Sequence, residues 1–231
     1  MSRRAVDWAR IESELHAHGV AVLGKLLNIE ECADIAARFD NEAAFRSTVV
    51  MAKHGFGRGT YRYFAYPLPE TIATLRAELY ARLAPVANRW HETMGEPVRF
   101  PPEHEPFLDR CHAAGQTRPT PLLLRYGPGD YNCLHQDLYG EHVFPIQVLI
   151  LLSCPGEDFH GGEFVLTEQR PRKQSAVEVV PLRQGDAAAF AGNRRPVAGA
   201  RGTYRVVMRH GVSRVRWGLR YTLGIIFHDA T

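Results

Sequence analysis

The sequence predicts an α+β fold in which N-terminal helices support a sandwich or barrel of short strands. Helical periodicity is confined to the first half of the 231-residue chain, whereas short apolar runs separated by turn residues fill the second half. A composition of 45% hydrophobic and 23% charged residues is that of an ordinary globular protein. Because no repeat or linker-like run divides the chain, we expect one domain, with helical support and substrate loops in residues 1–120 and the strand core in residues 121–231.

The N-terminal region predicts a helix, a strand and a second helix. Apolar residues at helical spacing favour a helix over Val6–His18, and Gly19 is a typical stop. Val20–Leu27 has the pattern of a strand. Asn28 is a good N-cap for a helix that has two glutamates in its first turn and runs to about Phe39.

The next segments alternate between irregular and helical patterns. Phe45–Tyr66 is rich in glycine, aromatic residues and single charges, which favours a hairpin or an ordered loop. Pro69–Glu92 predicts a long helix with a bend near Pro85. Glu103–Ala114 predicts a short helix before the strand-rich half of the chain begins.

From Pro121 onward, short apolar runs alternate with turns rich in Gly, Pro and Asp, and each run predicts a strand. These runs are Leu122–Tyr126, Val143–Leu152, Glu163–Thr167, Val177–Leu182, Ala187–Phe190, Thr203–Met208 and Leu219–Phe227. Seven or eight short strands at this spacing favour a sandwich or barrel, against which the preceding helices pack.

Several classes of protein are excluded by simple patterns. The longest apolar run, Val148–Leu152, is far too short to span a membrane, and the N-terminus lacks the apolar stretch of a signal peptide. The four cysteines are scattered without a C-x-x-C pair, which argues against a zinc site. We therefore expect reduced thiols, a cytoplasmic location and no membrane partner, and the oligomeric state stays open.

The strongest chemical signal is the triplet His135-Gln136-Asp137. On a strand end, residues i and i+2 point to the same face, so this imidazole and this carboxylate can converge. A second histidine on a neighbouring strand would complete a set of two histidines and one carboxylate, the arrangement of non-haem Fe(II) oxygenases. We predict that His210 is this histidine, in preference to His142 and His160, of which His160 fits a turn better than a strand.

A second signal lies ten residues after His210. Arg220 and Thr222 share one face of the last apolar strand, and a guanidinium with a hydroxyl is a donor set for a carboxylate. An iron with three open positions beside a carboxylate anchor fits a 2-oxo acid that chelates the metal through its keto end. Tyr126 is a candidate for an additional phenolic donor, or else a plain core tyrosine.

Taken together, these motifs and their order resemble the Fe(II)/2-oxoglutarate-dependent dioxygenases over roughly Leu122–His228. The motifs are Arg125-Tyr126-Gly127-Pro128-Gly129, Leu134-His135-Gln136-Asp137, Gly161-Gly162-Glu163-Phe164, His210-Gly211-Val212 and Gly218-Leu219-Arg220-Tyr221-Thr222. The resemblance implies a double-stranded β-helix (jelly-roll) core with iron on His135, Asp137 and His210. It also implies that Arg220, helped by Thr222 and Tyr126, binds the distal carboxylate of 2-oxoglutarate. The implied reaction consumes O2, releases succinate and CO2, and hydroxylates a C–H bond.

The motifs point to two different substrate classes. The segment from Arg125 to Asp137 resembles the AlkB-like repair demethylases and bacterial oxygenases of damaged nucleic acid. The Arg220-x-Thr222 pair and the Gly161–Phe164 motif resemble the prolyl-hydroxylase branch instead, and Ile226 stands where AlkB proteins carry a second arginine. We expect oxidative demethylation of alkylated bases in DNA or RNA. The alternatives are hydroxylation of a peptide or amino-acid side chain, and a binding protein without turnover, against which the intact triad argues.

The distribution of arginine bears on the same question. The chain has 25 arginines and three lysines, and Ala187–His228 contains eight arginines with no Asp or Glu. We predict that Arg194 and Arg195 lie in an exposed loop that meets phosphates, and that Tyr61 and Arg62 contact a base. The competing interpretations are biased codon composition, a solvated sheet face and an ordinary aromatic hairpin packed on the helices.

Overall fold

The structure, a computed structural model, describes residues 6–199 and 202–231. Its four α-helices lie in the first half of the chain, as the sequence predicts. They are α1 (Trp8–His18), α2 (Ile29–Ala37), α3 (Glu70–Thr93) and α4 (His104–Ala113). None of the helices in these ranges is long and apolar enough to cross a membrane.

The strands are short and begin with one between α1 and α2. In the first half they are β1 (Val20–Lys25), β2 (Phe45–Val50), β3 (Gly57–Arg58) and β4 (Thr60–Phe64). In the second half they are β5 (Leu122–Tyr126), β6 (Tyr131–His135), β7 (Ile146–Leu151), β8 (Phe159–Gly161), β9 (Phe164–Gln169), β10 (Ala176–Val180), β11 (Asp186–Ala191), β12 (Arg194–Gly199), β13 (Gly202–Val212), β14 (Val215–Gly218) and β15 (Arg220–Ile225).

Two antiparallel sheets form the core. The major sheet has the order β1-β11-β7-β15-β5-β4-β2, and the minor sheet has the order β10-β9-β13-β6-β3 with β12 added beside β13. The non-consecutive order reflects chain crossings between the two layers, as in a jelly roll. The predicted α+β class with a jelly-roll core is confirmed, and both sheets contribute side chains to the cavity between them.

The helices are fixed by local signals and by burial. In α2, Asn28 accepts a hydrogen bond from the Glu31 amide while the Glu31 carboxylate accepts one from the Asn28 amide, which completes a capping box. The apolar faces of α1 and α3 join the same buried core as the major sheet, with Ile11, Leu15 and Trp90 almost fully buried. The helices therefore support the major sheet.

One predicted loop is a strand. The segment Arg194–Gly199 pairs with β13 from Arg194 opposite Val207 to Gly199 opposite Gly202, although its sequence has no apolar run. It lies at the edge of the sheet beside β13, where the missing N–H of Pro196 is tolerated. Long-range pairing with β13 overrides the weak local strand signal, so the prediction of an exposed loop was wrong here.

Alternation along β12 also corrects the prediction for Arg195. Its side chain is only 2% exposed, and its guanidinium donates hydrogen bonds to the carbonyls of His16 and Ala17 and pairs with Glu168. Cations stabilise a helix C-terminus because they face the unpaired carbonyls there. Arg195 therefore attaches the end of α1 to the minor sheet and is not available to bind phosphate.

A second buried arginine attaches the C-terminal segment to α3. Arg76 forms an ion pair with Asp229 at 2.8 Å and donates to the Ile226 carbonyl at 2.9 Å, and both side chains are almost fully buried. Burial alone would raise the pKa of Asp229, but the Arg76 charge and hydrogen bonds from His112 and Tyr66 outweigh it and lower that pKa. Asp229 is consequently ionised and paired at neutral pH.

We expect Arg76→Met to lower the free energy of unfolding by about 3–5 kcal/mol, because removing one partner of a buried pair leaves the other charge uncompensated. Urea denaturation at pH 7 measures the change. Arg82→Met is the matched control on α3, since Arg82 is exposed and its guanidinium lies 5.9 Å from the centre of the Trp8 ring. Equal loss in both variants would contradict this account.

Candidate active site

Three predicted side chains converge between the ends of the sheets. His210 on β13 pairs directly opposite His135, the last residue of β6, and Asp137 follows two residues later. The Nε2 of His210 lies 3.3 Å from Oδ2 of Asp137, and the Nε2 of His135 lies 3.6 Å from Oδ1. The ligand atoms of all three residues lie within 4.8 Å of one another, as the sequence predicts for a shared metal.

The backbone beside these residues is irregular in a way that brings them together. Between His135 and Asn132, β6 has one residue more than the stretch of β13 that it faces, so it contains a bulge directly before His135. Gly211 permits the close approach of the two strands, because a Cβ there would lie 2.7 Å from the Asn132 carbonyl oxygen. A bulge re-aims the following side chain, and here that side chain is His135.

Neighbouring groups fix the orientation of His135 and Asp137. The Nδ1 of His135 lies 2.8 Å from the Cys133 carbonyl, which leaves Nε2 to face the cluster. The Tyr139 hydroxyl donates to Oδ1 of Asp137 at 2.8 Å, and Tyr63 donates to Tyr139 at 3.1 Å. Tyr139 and Tyr63 are not among the site residues predicted from the sequence, in which only the position of Tyr139 two residues after Asp137 points to a shared face.

The pKa shifts favour the protonation states in which these groups bind a metal. Burial alone would raise the pKa of Asp137, but hydrogen bonding and charge from His210, His135 and Tyr139 lower it. Burial, followed by the proximity of His210, lowers the pKa of His135. At neutral pH the site therefore holds a carboxylate and a neutral imidazole, which are the forms that ligate metals.

A cavity of about 370 Å³ opens from the cluster and reaches the major sheet. Its lining includes the three clustered residues together with Arg220, Thr222 and Tyr126. Arg220 is the first residue of β15 and pairs with Tyr126 on β5, so strand register alone brings these two together. The predicted carboxylate anchor and the predicted metal ligands therefore share one enclosed space.

Arg220 is a buried cation that makes no ion pair with the residues that the structure describes. One guanidinium nitrogen donates to the Thr222 hydroxyl, while Nε makes no hydrogen bond in the described part of the protein. The Tyr126 hydroxyl likewise makes no hydrogen bond of normal geometry, although Asn132 lies beside it. Burial lowers the pKa of Arg220 to about 10, which leaves it charged at neutral pH.

Gly162, from the Gly161-Gly162-Glu163-Phe164 motif, makes room for this arginine. It has a φ of +66°, and a Cβ there would lie 2.9 Å from Cδ of Arg220 and 2.8 Å from Val215. A side chain at this position would be strained by its backbone and would displace the guanidinium. The glycine at position 162 of this motif is thus explained by the space that the Arg220 side chain occupies.

The other predicted site residues are divided between the cavity and the exterior. Tyr61 lines the cavity. Arg62 points away from it and donates a hydrogen bond to the Phe39 carbonyl at 2.8 Å. Arg62 therefore supports the fold, and the prediction that it contacts a base was wrong. Arg194 is exposed and follows Asn193, whose side chain accepts a hydrogen bond from Gln136. His160 packs against Trp217 away from the cluster.

The residues present fit an iron ion and a dicarboxylate. Two imidazoles and one carboxylate are the ligand set of non-haem Fe(II) sites that keep open positions. The buried Nε of Arg220 and hydroxyl of Tyr126, both without a partner among the described residues, are donors that a carboxylate would satisfy.

Comparison with known proteins agrees with this geometry. Residues 59–230 match the Oxygenase-NA family, described as "Oxygenase, catalysing oxidative methylation of damaged DNA". An uncharacterized protein of Mycobacterium tuberculosis is 49% identical over 167 residues, which cover 72% of each chain.

Solved structures with low identity share the fold. A prolyl hydroxylase from Trichoplax adhaerens, in complex with a hypoxia inducible factor peptide fragment, has a TM-score of 0.63 at 13% identity, covering 96% of this chain and 89% of that one. A Pseudomonas putida prolyl-4-hydroxylase has a TM-score of 0.56 at 14% identity, covering 97% and 99%. A 2OG-Fe(II) oxygenase from Burkholderia pseudomallei has a TM-score of 0.55 at 18% identity, covering 100% and 95%. The chain belongs to the Oxygenase-NA family of oxygenases and shares the fold of the solved 2OG-Fe(II) oxygenase and of the prolyl hydroxylases.

Proposed function

We propose that this oxygenase oxidatively removes alkyl groups from damaged bases in DNA or RNA. The observation that carries the proposal is the shared cavity in which the His135–Asp137–His210 cluster faces the buried, partly unpaired Arg220. The description of the family names damaged DNA, which supports the choice of nucleic acid. An oxygenase of this type supplies oxygen and has no methyl donor, so the chemistry we propose is removal of the alkyl group.

In this proposal, His135, Asp137 and His210 hold the iron. When bound, Fe(II) activates O2 together with 2-oxoglutarate and thereby supplies the oxidising power for C–H hydroxylation. Tyr139 holds one oxygen of Asp137, and the Cys133 carbonyl fixes the tautomer of His135. The protein's own contribution is to present three oriented ligands and to leave the remaining positions free.

Arg220, Thr222 and Tyr126 hold the distal carboxylate of 2-oxoglutarate. A guanidinium binds a carboxylate through two parallel N–H bonds, and the buried position strengthens this attraction. The Thr222 hydroxyl accepts from Arg220 and retains its own hydrogen for the carboxylate. Anchoring one end in this way directs the 2-oxo acid end toward the histidines on the opposite wall.

The remaining cavity wall suits a flat aromatic group. Its surface beside the cluster is formed by Tyr61, Tyr63, Phe56 and Leu134, and Phe56 and Leu134 are about half exposed at the opening. Enzymes that act on bases take the base out of the stack and hold it between aromatic and apolar side chains. Tyr61 thus remains a predicted base contact, and Phe56 joins it.

The balanced reaction sets the products to measure. One 2-oxoglutarate and one O2 give succinate, CO2 and a hydroxymethyl group on the base nitrogen. That hydroxymethyl group breaks its C–N bond and leaves as formaldehyde, while the nitrogen regains a hydrogen. Succinate and formaldehyde are therefore expected in equal amounts.

The substrate class is tested by measuring succinate and formaldehyde with methylated oligonucleotides and, separately, with a peptide pool. We expect equimolar succinate and formaldehyde with methylated DNA or RNA and none with the unmethylated oligonucleotide. Turnover with peptides alone would replace the nucleic-acid proposal by the peptide-hydroxylase alternative. If 2-oxoglutarate is decarboxylated with none of these substrates, a binding protein is favoured.

The metal assignment is tested with Asp137→Ala. Because the carboxylate supplies the only negative ligand of the set, we expect Fe(II) affinity to fall at least 100-fold, as measured by anaerobic titration. Asp109→Ala, an exposed carboxylate on α4, is the matched control and should bind iron like the unmodified protein. Wild-type iron affinity in Asp137→Ala would refute the assignment.

The anchor assignment is tested with Arg220→Ala. A buried hydrogen-bonded charge pair is worth about 2–5 kcal/mol, so we expect the 2-oxoglutarate concentration required for half saturation to rise by about 30-fold or more. Fe(II) affinity in the same variant should stay within about threefold, which shows that the fold is retained. An unchanged 2-oxoglutarate requirement would place the anchor on another residue.

A further inference from the structure

We propose that Arg194 and Arg209 form a phosphate-binding pair that holds a nucleic-acid strand against the minor sheet beside the cavity. This inference rests on the proposed function and adds the surface by which the substrate's backbone is bound. It replaces the predicted pair of Arg194 and Arg195, because Arg195 is buried.

Strand register places the two arginines on one face. Arg194 pairs directly with Val207 on β13, and Arg209 follows Val207 by two residues. Val206 and Met208, on either side of Val207, are buried, so Arg194, Val207 and Arg209 share the outer face of the sheet. Diagonal neighbours of this kind are about 7–8 Å apart, which lets the two long side chains contact one nucleic-acid strand together.

Both arginines are exposed and have no partner. Neither guanidinium makes a hydrogen bond or an ion pair with any residue in the described ranges, in contrast to Arg195 and to Arg205, which pairs with Glu96 at 2.9 Å. The acidic residue closest in register, Glu168 on β9, faces inward and is neutralised by Arg195 and Arg170. The outer face around the pair therefore carries net positive charge.

The pair is connected to the metal-ligand segment through Gln136. The Gln136 amide nitrogen donates to Oδ1 of Asn193 at 2.7 Å and to the Met208 carbonyl at 2.8 Å. Asn193 directly precedes Arg194, and Met208 directly precedes Arg209. Both arginines thus lie one residue from the points that hold Gln136, which itself stands between His135 and Asp137.

The chemistry of the surface favours a phosphodiester backbone. Guanidinium groups bind phosphate oxygens bidentately, and the residues of this face beside the pair, Thr167 and Val207, are uncharged. In this proposal the bound strand continues past β6, so that a base taken out of the stack enters the cavity at Phe56 and Leu134. An acidic peptide is the competing partner and forms one arm of the test.

The experiment compares the double variant Arg194→Gln/Arg209→Gln with the control Arg38→Gln/Arg183→Gln. The control removes the same charge from two exposed arginines on other elements. Arg38 lies at the C-terminal end of α2, and Arg183 precedes the start of β11 at Asp186. Binding of a methylated single-stranded oligonucleotide is measured by fluorescence anisotropy at several salt concentrations. Thermal melting and Fe(II) affinity report whether each variant is folded.

We expect at least tenfold weaker oligonucleotide binding for the double variant. We also expect a slope of log K against log salt that is shallower by about 1.4, or about 0.7 for each phosphate that is no longer neutralised. The control should keep the affinity and the slope of the unmodified protein. If the double variant binds like the control while the unmodified protein demethylates the oligonucleotide, this proposal fails and the proposed function stands. If the unmodified protein neither binds nor demethylates any oligonucleotide but turns over an acidic peptide, both fail.

Discussion

The pairing of His210 with His135 across β13 and β6 is the constraint on which the whole site depends. Because side chains alternate along a strand, a shift of one residue in this register would turn one imidazole out of the cavity and the adjacent Arg209 into it. The bulge before His135 and the close approach at Gly211 fix this register, and Gln136 attaches the following segment to β13. The two sheets thus function as a frame for one short segment, His135–Asp137.

The same frame explains why a positive charge is tolerated in the core. Arg220 begins β15, and its guanidinium contacts Thr222, the Tyr126 ring and the space left by Gly162. A buried cation with unsatisfied donors is costly for the protein alone, so its presence is best explained by a ligand that supplies the missing acceptors. Arg76 and Arg195 show the contrast, since their partners Asp229 and Glu168 are supplied by the chain itself.

Much of this arrangement was predictable because its signals are local. The capping residues Asn28 and Gly19, the apolar runs of β5, β7 and β15, and the i, i+2 spacing of His135 and Asp137 are all properties of neighbouring residues. The strand character of Arg194–Gly199 depends on pairing with β13, and the contacts of Arg62 with Phe39 and Glu42 depend on where the hairpin packs. Tyr139 and Tyr63 meet at Asp137 from segments 76 positions apart, which no local pattern reveals.

The arginine-rich stretch shows most clearly what the folded structure reveals beyond the sequence. In sequence, Arg194 and Arg195 are equivalent members of one basic run, yet strand alternation assigns one to solvent and the other to the end of α1. The same alternation exposes Arg209 while it buries His210 beside it. Adjacent residues on β13 therefore face opposite sides of the sheet. The His210 side chain lines the cavity, and the Arg209 side chain places a positive charge on the surface. In the proposed function a base leaves a polyanion and enters an enclosed cavity, and the two faces of β13 would serve these two steps.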